Sequence, residues 1–341
     1  MKFLQVTQES LELGARTLLE GGLVAFPTET VYGLGADAFN PKALANVFEV
    51  KGRPSFDPLI IHIAAIETLD KVANLSLLSS DAREKLFLLA KNFWPGPLSI
   101  VLPKNERIPM VATAGLQTAA IRFPDNDTAQ KLISLSSGAV AAPSANPFGA
   151  LSPTRAEHVR SGLGEKIDII LDGGPARIGL ESTVLDITGA VKILRPGGTP
   201  REAIEKLIDP VEEHSITAKD NCPLVSPGQL KSHYAPGTPL FVLNRDEIIE
   251  RHFNAADYEK IAFLFIDGST KDAWKAAHNN SNFEYRLLSQ SGNMAEAASR
   301  LFETLHELDN GNFASIYAQL APQEGLGAAI NDRLKRGARG G

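Results

Sequence analysis

The strongest constraint on this chain is a rhythm. Short apolar runs alternate with amphipathic stretches, the alternation stops, and then it resumes. Within residues 1–208 the runs at 23–27, 58–63, 98–102, 119–123, 139–142, 167–172, 183–187 and 191–194 have the length and composition of strands. The stretches between them read as helices. Asn40-Pro41, Ser152-Pro153 and Thr199-Pro200 each set a capping side chain before a Pro at the first helical position, where its missing N–H costs nothing. From 209 to 238 the periodicity gives way to Pro, Gly and polar residues. Four strand–helix pairs follow: 240–243 with 246–253, 261–266 with 271–277, 285–288 with 293–308, and 314–319 with 323–335. The expectation is an α/β protein. An N-terminal twisted, open α/β sheet domain with a concave ligand site would span 1–208, a linker or lid 209–238, and a smaller C-terminal Rossmann-like, doubly wound α/β domain 239–341.

Composition narrows the function classes. Cys222 is the only cysteine, so no intramolecular disulfide and no all-cysteine zinc site can form, and a reducing cytoplasm is the expected compartment. The first residues lack the apolar core of a signal peptide, and nowhere do about 18 apolar residues run together, so no membrane role is expected. The net charge of −6 divides as 21 − 22 = −1 over residues 1–208 and 13 − 18 = −5 over 209–341. Neither part has the basic excess that non-specific nucleic-acid binding requires, which leaves direct RNA binding without support from charge.

Several motifs fail on context. Gly33-Leu-Gly35-Ala-Asp-Ala38 fits the dinucleotide fingerprint by letter, but its glycines do not turn a strand directly into a helix, because the helix signal at Asn40-Pro41 comes after the motif has ended. There is no P-loop and no G-x-S-x-G elbow, and the seven His show no metal-ligand spacing. No protein metal site is expected.

What remains is a set of polar residues at the ends of apolar strands, where ligands of open α/β sheets bind. They are Thr28-Glu29-Thr30-Val31-Tyr32-Gly33-Leu34, Lys51-Gly52-Arg53-Pro54, His62, Arg122, Ser144-Ala145-Asn146, Glu181-Ser182-Thr183 and Arg195-Pro196-Gly197-Gly198. Lys51 and Arg53 end the helix that begins at Asn40. Cations there suit the helix dipole, and a point-charge ammonium beside a planar guanidinium also suits a polyphosphate.

Taken together, Lys51-x-Arg53, Ser144-x-Asn146, the Thr28–Leu34 segment, Gly173-Gly174-Pro175, Glu181-Ser182-Thr183-Val184, Arg195-Pro196-Gly197 and Ser226-Pro-Gly…His233-Tyr234-Ala-Pro236 resemble the threonylcarbamoyl-AMP synthase family in its long, two-domain form. The resemblance implies a nucleotidyltransferase that joins L-threonine, bicarbonate and ATP, with Mg2+ accompanying the nucleotide. Its product would pass to a tRNA threonylcarbamoyl transferase complex for N6-threonylcarbamoyladenosine formation at tRNA position 37. By motif, Lys51 and Arg53 are implied as catalytic. Thr30, His62, Arg122 and Ser182 are implied for threonine; Lys51, Arg53, Thr118, Ser144, Asn146, Ser152, Arg195 and Tyr234 for ATP. Asp57 stands where many members carry Asn, and a direct phosphate contact is not expected of it. The rival reading is a non-catalytic module that binds double-stranded RNA on the same fold.

Overall fold

The computed structural model describes residues 1–208, 210–213, 233–253, 259–278 and 281–338. Most of the expected linker, Cys222 included, therefore lies outside the described residues. By contacts the chain forms two units: Met1–Phe148, Ser152–Arg177 and Glu181–Gln229 make the first, and Gly149–Leu151, Ile178–Leu180 and Leu230–Gly341 the second.

In the first unit the strands are β1 (Lys2–Gln5), β2 (Val24–Phe26), β3 (Gly33–Asp37), β4 (Ile60–Ile63), β5 (Leu98–Pro103), β6 (Thr118–Arg122), β7 (Ala139–Ala141), β8 (Ile169–Asp172), β9 (Thr183–Asp186), β10 (Lys192–Arg195) and β11 (Glu212–Glu213). They form one mixed sheet in the order β1-β8-β2-β3-β7-β4-β6-β5-β9-β10-β11. β3 lies outside the eight expected strands, and its first two residues belong to the Thr28–Leu34 segment expected at a strand end; it is a strand antiparallel to β2 and β7. Glycine at 35 is a packing requirement, since a Cβ there would lie 2.8 Å from the Phe26 ring and 3.0 Å from Val140.

The helices of this unit are α1 (Gln8–Leu19), α2 (Pro41–Lys51), α3 (Leu69–Val72), α4 (Ser80–Phe93), α5 (Asp127–Leu135), α6 (Ala156–Gly162) and α7 (Arg201–Glu205). Asn40 caps α2 as expected, accepting from the N–H groups of Lys42 (3.1 Å) and Ala43 (3.2 Å). The other two expected caps are corrected. α6 begins at Ala156, because the Ser152 hydroxyl is taken by Glu181; α7 begins at Arg201, and the Thr199 N–H donates to the Thr183 hydroxyl at 3.0 Å.

The second unit alternates β12 (Leu240–Leu243), α8 (Arg245–Glu250), β13 (Ile261–Asp267), α9 (Gly268–Ala277), β14 (Phe283–Ser289), α10 (Met294–Asp309), β15 (Ser315–Gln319) and α11 (Leu326–Gly337). All pairings are parallel, in the order β12-β15-β13-β14. The winding direction reverses after β14, so right-handed crossovers put α10 on the face opposite α8 and α9. The observed helix pairs, α8 with α9 and α10 with α11, agree with a doubly wound sheet.

Candidate active site

Alternation along three adjacent strands separates core from site. In β4, Ile61 and Ile63 enter the large core, whereas Ile60 and His62 take the other face. β6 divides Ala119 and Ile121 from Thr118, Ala120 and Arg122, and β5 divides Ile100 and Leu102 from Ser99 and Val101. Register aligns His62 with Arg122 across β4 and β6, and Arg122 with Ser99 across β6 and β5. Three polar side chains thus form one row on one face.

Arg122 donates two hydrogen bonds and makes one ion-pair contact. Nη2 lies 2.6 Å from Glu29 Oε1, Nη1 donates to Thr30 Oγ1 at 2.8 Å, and Nε donates to the Gly96 carbonyl at 3.3 Å. The Thr28 hydroxyl donates to the Val31 carbonyl at 2.7 Å and lies 2.8 Å from that of Thr30, so Thr30 donates to Thr28 while accepting from Arg122. His62 Nδ1 is 3.2 Å from the Ile60 carbonyl. Burial, then the Arg122 charge, pushes the imidazole down to about 3, against the pull of the Ile60 and Val140 carbonyls. His62 is neutral at physiological pH.

Ser99 extends the row toward β9. Its hydroxyl is 2.8 Å from that of Ser182. Arg195 in turn donates from Nη2 to the Ser182 carbonyl at 2.8 Å and to its hydroxyl at 3.1 Å, and from Nε to the same carbonyl at 3.2 Å. Arg195 is therefore joined through the Ser182 hydroxyl to Ser99, the register partner of Arg122.

The third cation group comes from α2, whose buried residues are Ala43, Leu44, Val47, Phe48 and Lys51. This spacing is a helical stripe, so the periodicity that buries the leucine and valine also drives the Lys51 ammonium inward. Gly52, left-handed at φ 62°, ends the helix. Lys51 Nζ donates to the Ser144 carbonyl at 2.6 Å and to the Asn146 carbonyl, which ties the segment after β7 to the end of α2. Burial and the neighbouring Arg53 charge hold the ammonium well below its usual value.

Arg53 donates from Nε to the Asp57 carbonyl at 2.9 Å and from Nη2 to the Pro58 carbonyl at 2.8 Å, and Nη2 is 3.0 Å from Asp57 Oδ2. Asp57 is wholly buried. Burial pushes its carboxyl up, while Arg53, Lys51 and Arg195 pull it down. One carboxylate thus feels all three cations.

The other expected site residues have these places. Ser152 donates to Glu181, the neighbour of Ser182. Thr118 opens β6 on the face of Arg122, and Asn146 Nδ2 donates to the Pro147 carbonyl at 2.9 Å. Tyr234 belongs to the second unit. Sequence reasoning passed over Ser99, and it named Glu29 only as part of the Thr28–Leu34 segment, with no role of its own.

Two family models match the chain. One, described as "Telomere recombination", covers residues 16–197, and one described as "Threonylcarbamoyl-AMP synthase, C-terminal domain" covers 199–339. A threonylcarbamoyl-AMP synthase of Pyrococcus abyssi is 40% identical over 336 residues, spanning 97% of this chain and 95% of that protein. One from Bacillus subtilis is 38% identical over 346 residues, spanning 99% and 97%. The crystal structure of P. abyssi Sua5 complexed with L-threonine matches at a TM-score of 0.85 and 38% identity, over 99% of this chain and 97% of that one. The chain belongs to the threonylcarbamoyl-AMP synthase family of enzymes.

Proposed function

We propose that the chain acts as a nucleotidyltransferase that makes L-threonylcarbamoyl-AMP and pyrophosphate from L-threonine, bicarbonate or CO2, and ATP. The threonine amine and CO2 give a carbamate, whose oxygen attacks the α-phosphorus while pyrophosphate leaves. No protein nucleophile takes part, so the work of the site is alignment of two anions and neutralisation of phosphate charge. Alignment of this kind is worth about 7–11 kcal/mol in favourable cases.

The observation that carries this reading is the row His62–Arg122–Ser99 with its continuation through Ser182 to Arg195. It supports one arginine for an amino acid and another for a nucleotide. Beyond the two N–H groups that donate to Thr30 and Gly96, Arg122 keeps N–H groups of the kind that a bidentate carboxylate takes. In this reading Thr30, neutral His62 and Ser182 orient the rest of the threonine. Lys51, Arg53 and Arg195 neutralise the phosphates, and Thr118, Ser144, Asn146, Ser152 and Tyr234 hold the nucleotide. The complex of the P. abyssi relative with L-threonine supports the amino-acid half.

Among the described residues no cluster of three His, Cys, Asp or Glu forms a metal cage. A Mg2+ ion would ride on the triphosphate, since Mg2+ keeps water and phosphate oxygens as ligands. The phosphates would hold it, and it would add to charge neutralisation. We place the activity in the cytoplasm, with the product consumed by a tRNA threonylcarbamoyl transferase complex. A lone Cys and the lack, among the described residues, of a helix long and apolar enough to cross a membrane support that placement. The double-stranded RNA-binding alternative is not favoured, because the relatives over nearly the full length are synthases.

The test is pyrophosphate release by the pure protein with ATP and bicarbonate, with and without L-threonine. Release that depends on threonine, with threonylcarbamoyl-AMP identified by mass, is expected. Release independent of threonine, or none, overturns the reading.

A further inference from the structure

Among the described residues, Tyr234 is one of three non-glycine residues with a positive φ, 66°. Such backbone persists only where the surroundings over-determine it. Its surroundings within the second unit do so from both sides. The His233 N–H donates to the Arg336 carbonyl at 3.1 Å, and the Ala235 N–H donates to the Gly149 carbonyl at 2.8 Å. A Cβ at Gly337 would stand 2.6 Å from the Tyr234 carbonyl oxygen, so the helix must carry glycine there.

The ring is seated as firmly as the backbone. Phe302 of α10 lies 5.7 Å from it by centroid, and the Arg333 guanidinium lies 5.0 Å from its centre. Arg333 is an arginine with no exposed side-chain surface, ion-paired to Asp332, which also binds Arg336 through Nε at 2.8 Å. Arg333 and Gly337 are one helical turn apart on α11, so a single helix face meets both the ring and the carbonyl of Tyr234. A buried arginine in this place is costly as mere packing.

We propose that Arg333 and Gly337 are positioning residues for nucleotide binding, which act by holding Tyr234 in its left-handed, ring-seated conformation. This inference rests on the assignment of Tyr234 to the nucleotide in the proposed function.

The test compares Tyr234→Ala, Arg333→Met and Gly337→Ala in the full-length protein. The readouts are KM for ATP, KM for threonine, kcat, and calorimetric affinity for a non-hydrolysable ATP analogue. Tyr234→Ala is expected to raise KM for ATP by about tenfold or more, with both seat variants approaching that rise and KM for threonine within about twofold of the parent. The double variant Tyr234→Ala/Arg333→Met is expected to be no worse for ATP than Tyr234→Ala alone, since the arginine acts only through the ring. Gly337→Ala changes no buried charge and decides the matter if Arg333→Met does not fold. Seat variants that leave KM for ATP unchanged while Tyr234→Ala raises it overturn the seat alone. A Tyr234→Ala enzyme with unchanged nucleotide affinity overturns the seat together with the assignment of Tyr234.

Discussion

Lowering the pH from 7 to 5 is a perturbation that singles out His62. Its ring is 3% exposed, faces Arg122 across the sheet, and has its pKa pushed down to about 3, whereas a histidine in an unfolded chain titrates near 6.5. Above about pH 6.5 both states are neutral here and the group adds no pH dependence. Below it the unfolded chain binds a proton that the folded one refuses, so stability is present above 6.5 and is lost as pH falls toward 3. Integrating the linkage gives a loss of about 2 kcal/mol at pH 5 and about 4 kcal/mol at pH 3. Denaturant titrations of the parent and of His62→Asn at pH 7 and pH 5 read this directly. Between those pH values the parent should lose about 2 kcal/mol more than the variant, whose side chain does not titrate. The His62 Cε1–H resonance should also stay at its neutral position through pH 5. Equal losses in the two proteins, or a ring that titrates near 6.5, would refute the reasoning. That result would mean that water or a carboxylate reaches the imidazole.

Two further predictions concern the supports of the site. A Cβ at Gly197 would fall 2.4 Å from the Glu181 carbonyl oxygen, the Ser182 carbonyl carbon and the Thr183 nitrogen, so Gly197→Ala must displace the segment that carries Ser182. It should cost about 2 kcal/mol by denaturant titration and raise KM for threonine; a variant with parental values in both measurements disproves the close approach. Asp57→Asn leaves a polar oxygen beside Arg53 and keeps the main-chain carbonyl that accepts from Arg53 Nε, so kcat/KM should stay within about tenfold of the parent. Asp57→Leu strands the buried guanidinium and should lose about 3–5 kcal/mol of stability. A collapse of turnover in a well-folded Asp57→Asn protein would give the carboxylate a task of its own.

The parts of the fold legible in the sequence are those in which local pattern and packing agree. All eight apolar runs of the first 208 residues are strands, because each is buried along most of its length. The missed strands carry other signatures. β1 is an edge strand with no buried residue, β3 has two glycines, of which Gly35 is small to clear Phe26, and β11 is a pair of glutamates at the sheet edge. The site divides in the same way. Residue types at strand ends were visible, but their partners were not. The Arg122–Glu29 pair joins residues 93 positions apart, and the His62–Arg122 alignment depends on β4 and β6 being neighbours. Ser152 shows the reverse error. Its local signature is that of a helix cap, yet its hydroxyl is claimed by Glu181, 29 residues away.

The partners of the four buried cations explain how a domain of net −1 concentrates positive charge. Arg53 and Arg122 each meet a carboxylate, whereas Lys51 and Arg195 meet main-chain carbonyls and a hydroxyl among their hydrogen-bond partners. Carbonyl dipoles satisfy N–H donors without cancelling formal charge, and they need no reorganisation when an anion arrives. Against Glu29, Asp57 and Glu181, the cations Lys51, Arg53, Arg122 and Arg195 leave an excess of 4 − 3 = +1 among buried groups. Lys51, held well below its usual value by burial and by Arg53, is the group whose ammonium form a bound polyanion would favour most. The field at the site therefore follows from which acceptors surround a few cations, a property of position that no residue count reveals.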